Sequence, residues 1–417
     1  MLNFNKSAIL DDSIRYWNPG KTVFWQNAGV PLVIGRREMY YIWDMDGHRL
    51  IDCHLNGGTY NLGHRNPEII QALLDGTNDF DIGNHHFPAI MRALLCKKLA
   101  EITPDPLQIS VLGSSGGEAI DVAIKCARYA TKKVKNISII KAYHGHTGLA
   151  VGTADGKYAS PFLMDRPDEF IKVPFNDLAA IESALKNHDV ASVILETIPA
   201  TYGFPMPQEG YLNGVRDLCT KYGALYIADE VQTGLMRTGN MWGVQTFGVT
   251  PDILVTAKGL SGGIYPITAT IMSEPIAGWM NEYGFAHIAT FGGSELGCCV
   301  ALKTIEVTTR PSTKENVKNI ANHLRKGLDQ IQSENSDFFT GIRQCGVIFG
   351  LEFGVHPEGA MPVMKHLYKK GVWAIFSALD PRVLQFKPGL LCDIALCDDI
   401  LSRLSDAIKE AKHEVLK

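Results

Sequence analysis

The chain has 417 residues, 46% of them hydrophobic, which is enough for a sizeable core and more than one ordinary domain needs. Its net charge is −4 and it has no long run of lysine or arginine, which excludes an electrostatic footprint for nucleic acid or a membrane surface and favours a small-molecule partner. Nine cysteines, an odd number with no CxxC pair, argue for reduced thiols in the cytoplasm rather than a disulfide framework.

In chain order, the start MLNFNKSAILDDSIRYW lacks the basic head and continuous apolar core of a signal peptide, and no run reaches about 18 apolar residues. A soluble chain is expected. Tyr16, Trp17, Phe24 and Trp25 read as ordinary core aromatics. Short β-rich runs then alternate with amphipathic stretches: ISVLG (109–113), NISIIKAY (136–143), ASVILE (191–196), ALYIADE (224–230), DILVTAK (252–258) and ITATIMS (267–273). Between the first two, Ala119, Ile120, Ala123, Ile124 and Ala127 recur at helical spacing. Strands apolar on both faces and separated by helices predict an α/β fold, a mostly parallel sheet covered on both sides. Beyond GCCVALKTIEV, in which Cys298 and Cys299 read as small helix-packing residues, comes the polar stretch TTRPSTKEN. A charged helix follows from about Val317 to Ile331, then shorter strands near 346–352 and 383–386. With a boundary set near Thr308–Ser312, the expected organisation is a large domain over 56–308, a smaller α+β domain over 309–417, and an N-terminal segment over 1–55 packing with the latter.

Ligands of open α/β sheets collect at the carboxyl ends of the strands. There the sequence delivers GSSGG opening a helix, Tyr143-His144-Gly145, Glu196, Asp229-Glu230 followed by Gln232, and Lys258. The stretch Gly113–Gly117 feeds backbone N–H groups into a helix N-terminus, where an anion is favoured. It has neither a P-loop GK[ST] nor the spacing of a dinucleotide fingerprint, and by itself it reads equally as a tight turn. Asp229 leaves the core at a strand end and needs a cationic or protonated partner: a structural ion pair or a protonated pyridine nitrogen. Lys258, partly buried and followed by glycines, is an amine able to attack an aldehyde. Phosphate cradle, aromatic, carboxylate and lysine in this order describe a pyridoxal phosphate site. His144 with His146, and His85 with His86, lack a third ligand at a regular offset, so no metal is expected. Glu230 and Arg237 read as structural partners rather than acids or bases.

The sequence resembles the class III, ornithine-aminotransferase-like aminotransferases of the fold-type I pyridoxal-phosphate enzymes over nearly its whole length. Tyr41–Gly47 (YIWDMDG), Gly63-His64, SSGGEAIDVAIKCAR (114–128), Tyr143-His144-Gly145, IADEVQTGLMRTG (227–239), PDILVTAKGLSGG (251–263) and Thr290–Gly293 (TFGG) carry it. The resemblance implies Lys258 as the Schiff-base lysine, Asp229 on the pyridine nitrogen, and Ser115, Gly116 and Gly117 on the phosphate. It implies Tyr143 stacked on the ring, Gln232 near the phenolic oxygen, and Glu196 beside it on the substrate side. Thr290 resembles a threonine that reaches the neighbouring subunit's phosphate, which implies a homodimer with shared sites. Trp17 lies in YWNP, similar to a WxP segment lining the substrate pocket in some relatives.

Departures from the family pattern concern the substrate. Where relatives acting on α-amino acids commonly carry Leu-Arg-Phe-x-Pro-Pro-Leu, this chain has Leu384-Gln385-Phe386-Lys387-Pro388-Gly389-Leu390. Gln385 cannot form the bidentate charged pair of an arginine with a substrate carboxylate. On a strand Lys387 shares its face with Gln385, and Arg382 takes the other. The expected reaction moves an amino group between an amine or ω-amino compound and a carbonyl acceptor. An aminomutase, epimerase or decarboxylase on the same cofactor, a non-catalytic cofactor-binding protein, and a nicotinamide oxidoreductase are the alternatives; the last lacks its glycine fingerprint.

Overall fold

The computed structural model describes residues 5–186, 189–354, 356–357 and 359–417. Its largest sheet has seven strands: β1 Ile109–Gly113, β2 Lys135–Ile139, β3 Phe170–Val173, β4 Val190–Glu196, β5 Leu225–Asp229, β6 Ile253–Thr256 and β7 Thr268–Met272. They lie in the order β1-β7-β6-β5-β4-β2-β3. β7 runs antiparallel to both neighbours, and the pairs from β6 across to β3 are parallel. The fold is therefore the mixed α/β sheet the apolar runs predict, with one reversed strand.

Both faces of this sheet are covered, for the reason the sequence suggests. Every residue of β4, β6 and β7 is buried. Successive residues enter opposite cores: Leu254 packs with Tyr226 and Ala228 on one side, Ile253 and Val255 with Ile227 on the other. Helix α1, Gly116–Thr131, closes the second side with Ala119, Ile120, Ala123, Ile124 and Ala127. Tyr211–Tyr222 closes the first through Leu212, Val215 and Cys219.

The edge strand β3 is absent from the sequence reading. Its four residues FIKV are too short and too interrupted by Lys172 to stand out. The run from 136 to 143 is also shorter than expected, because the strand ends at Ile139 and Ile140–Tyr143 turn over the sheet end. Within the polar stretch TTRPSTKEN one helix ends at Thr309 and the next starts at Pro311, ahead of the expected Val317, Pro fitting the first helical position, and continues to Glu334. Cys298 and Cys299 are buried in the first of these helices.

Two smaller sheets complete the fold. Gly341–Cys345, Ile348–Glu352, Asp380–Phe386 and Ile375–Ser377 form an antiparallel sheet, and Ile34–Glu38, Tyr41–Asp44 and Arg49–Asp52 form another, joined in parallel by Val372–Trp373. A single apolar cluster takes Val30, Leu50 and Ile51 from the start of the chain together with Leu324, Phe349 and Leu404 from its end. No helix among the described residues is long and apolar enough to cross a membrane.

Candidate active site

A cavity of about 690 Å³ opens at the carboxyl ends of the parallel strands. Ser115, Gly116, Gly117, Tyr143, Glu196, Asp229, Gln232 and Lys258 all line it, with His144 and Thr268. Parallel strands deliver their ends to one edge of a sheet, so residues far apart in sequence converge there.

At one end stands the start of α1. Ser115 caps the helix, accepting from Glu118 N at 3.2 Å, and the Glu118 carboxylate accepts from Ser114 N at 2.7 Å and Ser115 N at 3.3 Å. Part of the N–H supply expected from the glycine-rich stretch is thus spent on the capping box. Gly116 and Gly117 N–H remain without a hydrogen-bond partner among the described residues, at the positive end of a sixteen-residue helix. Thr268 Oγ1, buried and unpartnered, belongs to the same end, 2.8 Å from where a Cβ on Gly113 would sit.

At the floor lies Asp229, the last residue of β5. It is buried, and its carboxylate accepts from His144 Nδ1 at 2.8 Å and from Val231 N at 3.0 Å. The partner it needs from this chain is therefore a histidine, not a lysine or arginine. His144 Nε2 is buried without a partner. Sequence reasoning weighed His144 only as a metal ligand. Its link to Asp229 is not visible in sequence, because β4 separates β2 from β5 and the chain past β2 must cross that strand's end.

Glu196 ends β4 beside Asp229 in register. Its carboxylate accepts from Tyr143 N at 3.0 Å and Ala200 N at 3.1 Å. Burial raises its pKa above the ordinary carboxylate range, and the neighbouring Asp229 charge adds to the effect. Tyr143 packs edge-on against Tyr158 and His146, its hydroxyl pKa also raised by burial.

Lys258 follows β6 at the start of a short 3-10 turn, with φ of 32°. Burial lowers its pKa, and the Asp229 and Glu196 charges oppose that shift. A turn with φ of 51° at Leu55, 48° at Asn56, 72° at Gly57 and 96° at Gly58 presses on it. A Cβ on Gly57 would stand 2.9 Å from Lys258 Cε and 3.1 Å from Gln232 Oε1. Asp52 anchors this turn by accepting from His54 N and Leu55 N, with His64 Nε2 at 2.8 Å. Sequence reasoning missed this turn's role, although NGG at 56–58 marks it.

Gln385 and Lys387 do share a face. Lys387 Nζ donates to Gln385 Oε1 at 2.9 Å and to Gln232 Oε1 at 3.0 Å, whereas Arg382 turns outward onto Asp380. Gln385 and Lys387 are buried behind Gln232 and do not line the cavity.

The remaining expected positions lie elsewhere. Glu230 turns away to accept from Thr197, Thr233, Gly243 N and Val244 N, and Arg237 donates to Asn61, Pro388 O and Lys387 O. Each is structural, and neither pairs with the other. Trp17 is 67% exposed and Tyr16 71%, so within this one chain they are neither core nor pocket lining. Thr290 is exposed, outside the cavity.

Residues 24–408 match the family model described as aminotransferase class-III. The chain is 44% identical over 409 residues, 98% of its length and 95% of the relative's, to a protein from Archaeoglobus fulgidus named an uncharacterized aminotransferase. Among solved structures it is similar to the ornithine aminotransferase of Toxoplasma gondii, with a TM-score of 0.89 and 25% identity over 99% of this chain and 97% of that one. The S-selective transaminase of an Arthrobacter species shares the fold, with a TM-score of 0.88 at 21% identity, each chain covered in full. The chain belongs to the class III aminotransferases.

Proposed function

We propose that this chain is a pyridoxal 5′-phosphate-dependent aminotransferase moving an amino group from an amine or ω-amino compound to a carbonyl acceptor. The observation that carries this reading is the convergence of Lys258, Asp229 and the unpaired Gly116 and Gly117 N–H groups on one cavity. The residues fit the cofactor. The helix start and the orphaned Thr268 hydroxyl suit a phosphate, buried Asp229 suits a protonated ring nitrogen, and Tyr143 suits a ring face.

When bound, pyridoxal phosphate supplies the aldehyde that takes up the amino group and the ring that delocalises the electron pair left on the substrate carbon. The chain's own residues do the rest. Asp229, held by His144 and Val231 N, sets its carboxylate at the cavity floor, where it would favour a proton on the ring nitrogen. Lys258 Nζ would take the proton from the amine-bearing carbon and would deliver it to the former aldehyde carbon rather than back to the same atom; burial, which lowers its pKa against the Asp229 and Glu196 charges, favours this role as a base. Glu196 ties Tyr143 and Ala200 together and so fixes the wall between them. Gln385, although behind Gln232 and outside the cavity lining, leaves no charged fork at that position for an α-carboxylate, which supports an amine or ω-amino donor.

Three further parts belong to the proposal. Exposed Thr290, next in sequence to exposed Phe291, supports a homodimer in which Thr290 serves the partner's cofactor site. One apolar cluster gathers residues 30–55 with 317–411 and also takes in Leu62, Ile69, Met236, Val300 and Val307; its weight toward the chain's two ends supports a small domain over 309–417 onto which 1–55 packs, beside a large one over 56–308. Nine free cysteines support the cytoplasm.

Borohydride reduction of the pyridoxal-phosphate-loaded protein, followed by peptide mass spectrometry, tests the core of this reading. The label should fall on the peptide containing Lys258, and a label elsewhere or none overturns it. Half-reactions followed by absorbance should run faster with amines and ω-amino compounds than with alanine.

A further inference from the structure

Lys387 is 1% exposed, with an apolar neighbour in the Phe204 ring 5.3 Å away. No carboxylate among the described residues lies within ion-pair distance of it. Its two hydrogen bonds go to two side-chain amide oxygens, those of Gln232 and Gln385. An ammonium offers three N–H groups and no lone pair, so each amide turns its oxygen toward it. The opposite edge of Gln232 then carries the NH2 group. Gln232 lines the cavity, and its Nε2 has no hydrogen-bond partner among the described residues.

We propose that Lys387 is a positioning residue for the reaction: by holding Gln232 Oε1, it fixes the amide so that Gln232 presents N–H, not C=O, to the group bound beside Lys258. The inference rests on the pyridoxal phosphate reading above, and deepens it by giving Gln232 a defined polarity. An unrestrained glutamine can flip and present either edge, and an acceptor edge there opposes negative charge on a bound ring oxygen. Gln385 is the second anchor, which gives it a use other than carboxylate recognition. The surrounding charged groups are Arg237, Lys258, Asp52 and Glu196, with His54 near both lysines. Burial, with the two flanking cations, lowers the Lys387 pKa, and the Asp52 and Glu196 charges oppose the shift. Without the third proton the amine keeps two N–H groups, the number that the contacts to the two oxygens use.

The test is the pH midpoint of the visible absorbance band in the loaded dimer. An N–H donor on the ring oxygen favours the form with one proton fewer, so Lys387→Met should raise the midpoint by about one pH unit, the scale of one hydrogen bond to a charged group. In a Gln232→Leu background the same substitution should shift nothing further. Equal shifts in both backgrounds mean that Lys387 acts by its own charge, and no shift in either means that it does not orient Gln232; both overturn the inference. Lys387→Gln keeps an N–H donor without the charge and should leave the midpoint near that of the parent. If Lys387→Met does not fold, this variant decides: a displaced midpoint overturns the inference. A parent protein that shows no visible band with added pyridoxal phosphate defeats the underlying cofactor reading instead.

Discussion

His144 Nδ1 stands 2.8 Å from Asp229 Oδ2, both side chains buried, and Val231 N fills the other carboxylate oxygen. A carboxylate with these two donors is fixed in plane and position, and its charge is carried where the cavity floor begins.

Asp229→Asn should lower kcat/KM by at least about 100-fold, since a neutral amide cannot hold a ring nitrogen protonated, with the melting temperature within a few degrees of the parent. His144→Phe should lose about tenfold by freeing the carboxylate to move. Steady-state kinetics beside thermal melts check both. A nearly fully active Asp229→Asn protein would reduce Asp229 to a structural partner of His144.

Gly57→Ala tests the turn that presses on Lys258. The added Cβ would meet Lys258 Cε at 2.9 Å at a φ of +72°, whereas Gly47, at φ +86°, has nothing within 4 Å. Both substitutions carry backbone strain of roughly 1–3 kcal/mol, but only Gly57→Ala displaces the lysine. It should therefore lose the visible band and most activity, while Gly47→Ala keeps both. Equal behaviour of the two proteins would show that the turn does not position Lys258.

Lys172 gives a pH dependence of stability. Its Nζ donates to Ser138 Oγ and Gly152 O, and burial lowers its pKa to about 7. Below pH 7 the amine is charged in the folded and unfolded chains alike, and the cost of burying it is paid in full. Between about 7 and the ordinary 10.5, the folded chain has released the proton and the unfolded chain has not, so stability rises with pH. Lys172→Met should therefore raise the melting temperature more at pH 6 than at pH 9.5, by roughly 3 °C. A gain independent of pH would mean the amine is not desolvated.

Gln385→Arg by itself would bury a guanidinium against Lys387, so the informative protein is Gln385→Arg combined with Lys387→Met. It should improve the half-reaction with alanine relative to a simple amine by at least about 10-fold, a modest share of an arginine–carboxylate pair. An unchanged ratio would separate position 385 from substrate choice.

Residue order alone specifies most of the strands and what stands at their ends. Apolar runs such as ASVILE and DILVTAK can be satisfied only inside a sheet covered on both faces, and a parallel sheet brings their carboxyl ends together. That is why Lys258, Asp229, Glu196, Tyr143 and Gly116 could be gathered from residue order alone. FIKV was not legible, because an edge strand four residues long holding a lysine carries little periodic signal. Nor was the start of the helix at Pro311, where a polar stretch and a proline look like a linker until the packing of Thr313 and Val317 is known. Contacts between side chains from strands that are not neighbours were decided only by the tertiary structure. His144 reaches Asp229 across the end of β4, Lys387 reaches Gln232 across 155 residues of sequence, and a left-handed turn near residue 57 closes on Lys258. Local pattern fixes which face a residue takes on its own element, but distances between elements follow from how the whole core packs.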